Sequence, residues 1–114
     1  MQIKKLIELT EGEVLTGKSH LEQEVHYGFA SDLMSDVLRL EADKLVLLTG
    51  LANTQALRTA EMSDINCIVF VRGKQIDEAI LELARENDMV LIRTRFSMFK
   101  TSAELYNAGL KPLF

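Results

Sequence analysis

The chain has 114 residues, 47% of them hydrophobic and 26% charged, the balance of one ordinary soluble globular domain and not of a disordered tail. Its net charge of −4, with no Lys/Arg cluster beyond Lys4-Lys5, argues against a nucleic-acid phosphate surface, which needs a concentrated basic stripe. The single cysteine, Cys67, precludes an internal disulfide, and the longest apolar run, Cys67 to Val71, is too short to span a bilayer. No leader pattern stands at the N-terminus, so the cytoplasm is the expected compartment and no membrane partner is expected.

In chain order, Ile3, Leu6 and Ile7 recur at helical spacing and Thr10-Glu11-Gly12 ends that short helix. Glu13 to Thr16 reads as a brief strand. Gly17 to Glu24 is polar and lacks the apolar run that its Ser19-x-x-Glu22 capping spacing would need, so it reads as a loop. Val25 to Ala30 is rich in strand formers, with Gly28 marking a bulge or a close backbone approach. Two Ser-Asp pairs follow, Ser31-Asp32 and Ser35-Asp36, with Leu33 and Met34 between them. Ser and Asp favour helix N-termini, where a side-chain oxygen accepts from an unpaired N–H, so both pairs are expected to cap and fix a turn; a catalytic or metal-binding role is the alternative.

From Lys44 onward, short apolar runs alternate with amphipathic segments. Leu45 to Thr49 is closed by Gly50, and Asn53 can cap a helix bearing Ala56, Leu57 and Ala60. Cys67 to Val71 is closed by Arg72-Gly73, and the helix after it sets Ile76, Ala79, Ile80, Leu83 and Ala84 on one face. Met89 to Ile92 is closed by Thr94-Arg95, and Ser97 can cap a last helix with Phe99, Ala103, Tyr106 and Leu110 inward and Gly109 near its end. Unbroken apolar strands are buried on both faces, and strands separated by helices run parallel through right-handed crossovers. The predicted fold is therefore α/β: three layers, a mostly parallel sheet with helices on both faces, in a single domain over residues 1–114. Four of the five methionines, Met34, Met62, Met89 and Met98, sit among leucines and read as core filler.

Chemistry is narrowed by elimination. With His20, His26 and Cys67 as the only histidines and cysteine, no metal-ligand spacing occurs. Neither a phosphate-cradling Gly-x-x-x-x-Gly-Lys-Ser/Thr nor a dinucleotide-binding Gly-x-Gly-x-x-Gly is present, and there is no Gly-x-Ser-x-Gly elbow. No catalytic residue and no cofactor is expected. In open α/β sheets ligands gather at the C-terminal strand ends. Here those ends offer Thr49, Gly50 and Asn53, then Arg72 and Gly73, then Thr94, Arg95 and Ser97. Arg72 and Arg95 leave their strands at one edge and can converge on a phosphate or carboxylate. The competing reading is that Asn53 and Ser97 only cap helices while both arginines lie in solvent.

Three stretches, Glu13-Val14-Leu15-Thr16-Gly17, Gly28-Phe29-Ala30-Ser31-Asp32-Leu33-Met34-Ser35-Asp36-Val37-Leu38 and Thr94-Arg95-Phe96-Ser97-Met98-Phe99, resemble the DRTGG domain family. The resemblance spans nearly the whole chain, although no Asp-Arg-Thr-Gly-Gly string is present and Val71-Arg72-Gly73 stands where such a turn is expected. It implies a fold like the N-terminal domain of HPr kinase/phosphorylase. It also implies a non-catalytic regulatory and dimerising module, as found beside phosphotransacetylase domains and between CBS domains of regulated pyrophosphatases. The expected function is thus ligand sensing by a homodimer, with a nucleotide or phosphorylated metabolite as the anionic ligand and Ser31 to Leu40 at or near the dimer contact. The alternative is a ligand-free dimerising adaptor that docks on a separate metabolic enzyme, and a small enzyme ranks third.

Overall fold

The computed structural model describes residues 1–114. Helix α1 (Ile3–Thr10) and strand β1 (Glu13–Thr16) open the chain, followed by a 3-10 turn at Lys18–His20, β2 (Tyr27–Ala30) and the one-turn helix α2 (Met34–Val37). Then come β3 (Leu45–Thr49), α3 (Thr54–Met62), β4 (Cys67–Phe70), α4 (Glu78–Glu86), β5 (Val90–Arg93), α5 (Met98–Asn107) and β6 (Lys111–Pro112). The six strands form one sheet in the order β1-β5-β4-β3-β2-β6. Every neighbouring pair is parallel except β1 against β5, where Glu13 and Arg93 face each other and form an ion pair.

Alternation along the central strands builds two cores. Leu45, Leu47, Ile68, Phe70 and Leu91 point to one face, where α2, α3 and α4 cover them with Met34, Val37, Ala56, Leu57, Ala60, Ile80 and Ala84. Val46, Leu48, Val69, Val90 and Ile92 point to the other, under Ile3 and Leu6 of α1 and Leu105 of α5. Residues of β3 and β4 are buried without exception, as their unbroken apolar sequence requires, and each large side chain so buried contributes about 1.5–3 kcal/mol. The three-layer α/β fold read from the sequence is the one observed.

Details depart from the sequence reading for local reasons. Helix α4 begins at Glu78 because the Asp77 carboxylate accepts the Ile80 N–H at 3.1 Å; Ile76 packs on the core ahead of the helix, and Ala79 faces solvent. In α5 the capped start at Ser97 turns Thr101 and Leu105 inward and leaves Phe99 and Tyr106 outside, at 86% and 64% exposure. Met34 and Met89 are core residues, whereas Met62 is 75% exposed at the end of α3. The segment read as a loop from Gly17 to Glu24 holds the 3-10 turn and is tied to α1 by bonds from Ile3 N–H to Gln23 O and Lys4 N–H to Leu21 O, both 2.9 Å. Gly28 marks a close approach: a Cβ there would lie 2.9 Å from Leu110 Cδ2. The chain's only proline, Pro112, belongs to the two-residue edge strand β6, a position where the lack of an N–H is tolerated.

Candidate functional site

Because β2, β3, β4 and β5 are parallel, Ser31-Asp32, Thr49-Gly50, Arg72-Gly73 and Thr94-Arg95 all leave the sheet at one edge. Asp32 joins two of these exits. Its Oδ1 accepts the Gly50 N–H at 2.6 Å and the Thr49 hydroxyl at 3.0 Å, while Oδ2 lies 3.9 Å from Arg72 Nη2. Thr49 Oγ1 in turn accepts the Leu51 N–H at 3.1 Å, which fixes the start of the loop into α3. Arg72 adopts a left-handed backbone (φ 67°), held by its N–H donating to Phe96 O at 2.8 Å and by Gly73 N–H donating to Thr94 O at 2.9 Å. Its guanidinium lies over Gly50, in space that any Cβ at that position would fill. Both charged side chains are half exposed, at 54% and 51%, so the ion pair itself contributes no more than about 1 kcal/mol.

The other half of the edge is built differently. Thr94 is buried and its hydroxyl is fully used, donating to Thr10 O at 2.6 Å and accepting the Phe96 N–H at 3.1 Å. Arg95 is exposed, makes no ion pair, and lies against Gly73, whose Cβ position is 3.9 Å from Arg95 Cγ. Asn53 caps α3 by accepting the Ala56 N–H at 2.9 Å, and Ser97 caps α5 by accepting the Lys100 N–H at 3.1 Å. The Lys100 ammonium sits 4.0 Å from the centre of the Phe96 ring. The eight residues singled out from the sequence therefore share one edge, with both cap residues engaged as caps.

The Ser-Asp pairs do not cap a helix as expected. Ser31 is still tied to the sheet, its N–H donating to Leu48 O at 3.1 Å, so its hydroxyl closes a local turn by accepting the Leu33 N–H at 3.0 Å. That geometry sends Asp32 sideways to β3, and α2 starts after Leu33 with no side-chain cap. Ser35 and Asp36 lie exposed within α2. Met34 packs into the core, while Leu33 and Leu38 stand 59% and 50% exposed. No sequence signal pairs Asp32 with Gly50, which are 18 residues apart.

Reactive groups lie elsewhere. Burial pushes the Cys67 thiol from 9.0 up to about 12. His20 is engaged with Asp88 at 2.8 Å and Gln23 at 3.0 Å near the start of β5, at the opposite edge of the sheet. No three His, Cys, Asp or Glu side chains are grouped so as to hold a metal ion, and no helix is long and apolar enough to cross a membrane.

The sequence model of the DRTGG domain matches residues 5–108, most of the chain. The chain belongs to the DRTGG domain family. Among solved structures, this DRTGG domain is similar to the CBS and DRTGG domains of the regulatory region of Clostridium perfringens pyrophosphatase, crystallised with the activator diadenosine tetraphosphate. The TM-score is 0.74 at 13% identity, over 91% of this chain and 45% of that one. At that identity the likeness establishes the fold, and the present chain spans less than half of the neighbour's length. No curated protein matches in sequence.

Proposed function

We propose that this DRTGG domain is a cytoplasmic, non-catalytic regulatory module that senses a small anionic metabolite, a nucleotide or phosphorylated compound, at the C-terminal edge of its parallel strands. The observation that supports this most is the gathering of Arg72 and Arg95 at that edge, with Arg95 free of any ion pair. Oriented guanidinium forks are the donors that phosphate and carboxylate recognition uses. The regulatory setting of the pyrophosphatase neighbour, whose activator is a dinucleotide, supports the same ligand class. A non-catalytic role is supported by the surroundings of the hydroxyls: Thr94 is held by backbone on both sides, Thr49 donates to Asp32, and neither is hydrogen-bonded to a histidine. The test is a thermal-shift screen with nucleotides and phosphorylated metabolites, paired with turnover assays on the same compounds. A ligand bound only by the folded state raises the melting temperature, by about 2.7 kcal/mol of stability at a hundredfold excess over Kd. No shift with any compound, or turnover that survives repurification and disappears in Asp32→Ala, contradicts the proposal.

A second reading, a dimerising adaptor without a ligand that docks on a separate enzyme, is favoured by the exposed apolar side chains Leu33, Leu38 and Met62. Leu38 and Met62 line one shallow surface between α2 and the end of α3. We propose that the module is a homodimer with the Ser31 to Leu40 segment at its contact, which is compatible with either reading.

A further inference from the structure

The carboxylate of Asp32 is held by donors from two neighbouring strand exits. Gly50 N–H, the Thr49 hydroxyl and the Arg72 guanidinium all face it, at 2.6, 3.0 and 3.9 Å. Two of these donors come from the exit of β3 and one from the exit of β4, whereas the acceptor comes from a third exit, that of β2. A backbone N–H and a hydroxyl meeting on Oδ1, with a guanidinium 3.9 Å from Oδ2, make a donor set suited to two oxygens of a phosphate or carboxylate. Arg72 approaches from a left-handed backbone, which disfavours a non-glycine residue, and across Gly50, which has no side chain to block it. With Asp32 half exposed, a ligand can reach the seat without opening either core.

We infer that Gly50, Thr49 and Arg72 form an oxyanion seat that the chain's own Asp32 fills, so that the phosphate or carboxylate of a ligand binds by displacing the Asp32 side chain. This rests on the strand-end edge being the ligand site and adds a built-in competitor to it. Displacement has a consequence for the neighbouring surface. Asp32 directly precedes Leu33 and α2, a single turn without a side-chain cap, whose far end is tied by Ser63 Oγ donating to Val37 O at 3.1 Å. Freeing Asp32 removes the ties to β3 and Gly50 at the near end, so Leu33 and the first residues of α2 gain mobility when the seat is taken.

The experiment titrates inorganic phosphate into the full chain by calorimetry, using the wild type, Asp32→Ala, Asp32→Asn and the double variant Asp32→Ala/Arg72→Ala. Without the competing carboxylate, Asp32→Ala is expected to bind phosphate at least tenfold more tightly than the wild type. Asp32→Asn, which preserves the shape of the side chain, is expected to gain in the same direction, and it serves as the readout if the alanine variant does not fold. The double variant is expected to lose the gain. Phosphate bound to the wild type is expected to speed amide exchange at residues 33–36. Phosphate affinity unchanged or weakened in both Asp32 variants, or a gain that persists without Arg72, overturns the inference. A tenfold gain in Asp32→Ala together with a wild type that responds to no nucleotide or metabolite leaves the seat standing and removes the sensing reading, so the two failures are distinguishable.

Discussion

Asn53, Asp77 and Ser97 each satisfy an N–H three residues ahead, an interaction confined to one helical turn, which is why Asn53 and Ser97 could be identified as caps from the sequence. Asp32 could not be placed in the same way, because its partners Thr49 and Gly50 become neighbours only when β2 and β3 pair. Cys67 shows what the core imposes on a single group. Its pKa is raised from 9.0 to about 12 by desolvation, so the unfolded chain gives up the proton first as the pH rises. The contribution is fully present below pH 9 and is lost between pH 9 and about 12, at up to about 1.4 kcal/mol per unit. Urea midpoints measured from pH 8 to 11 are expected to fall more steeply for the wild type than for Cys67→Ala; parallel slopes would contradict the burial of the thiol. Gly17 is a second residue fixed by its surroundings, with φ 84° and a Cβ position only 2.8 Å from Val90 Cα. Gly17→Ala is expected to cost about 2–4 kcal/mol. At Gly109, with φ 104° and nothing within 4 Å, alanine is expected to cost only about 1–2 kcal/mol, and the difference in denaturation midpoints measures the clash with β5.

At the level of elements, the three apolar runs were legible as strands because residues buried on both faces leave no polar alternation to confuse them. Helix phase was less legible. Reading Phe99, Ala103, Tyr106 and Leu110 as inward treated large aromatic side chains as core; Leu110 is buried, but within α5 Thr101 and Leu105 face the sheet while Phe99 and Tyr106 stand outside. Phe99 and Tyr106 then line an apolar groove of about 420 Å³ with Gly28, Leu105, Leu110 and Pro112. Strand β6 was invisible because two residues carry no pattern; it forms only by pairing with Tyr27 and Gly28. Removing the cap tests the account of α5: Ser97→Ala is expected to cost about 1 kcal/mol, lowering the melting temperature by roughly 4 °C. A change below about 0.3 kcal/mol would mean that tertiary packing, not the cap, sets the start of the helix.

For the molecule as a whole, the layered α/β architecture followed from alternation of strands and helices, while the position of each exposed apolar side chain did not. Leu33, Leu38 and Met62 stay outside although the cores on both faces of the sheet are filled, which motivates the expected homodimer. Light scattering at rising concentration is expected to return twice the chain mass, and Leu38→Asp is expected to shift it toward the monomer; a monomer mass at high concentration contradicts a dimer. The proposed sensing of a small anion at the strand-end edge rests on Arg72 and Arg95. Its most direct test is a calorimetric titration of a nucleotide or phosphorylated metabolite that raises the melting temperature, into the wild type and into Arg72→Ala/Arg95→Ala. Loss of the charged partners is expected to weaken binding at least thirtyfold, about 2 kcal/mol, with the fold intact by circular dichroism. Unchanged affinity in a folded double variant would place the ligand away from this edge and contradict the account.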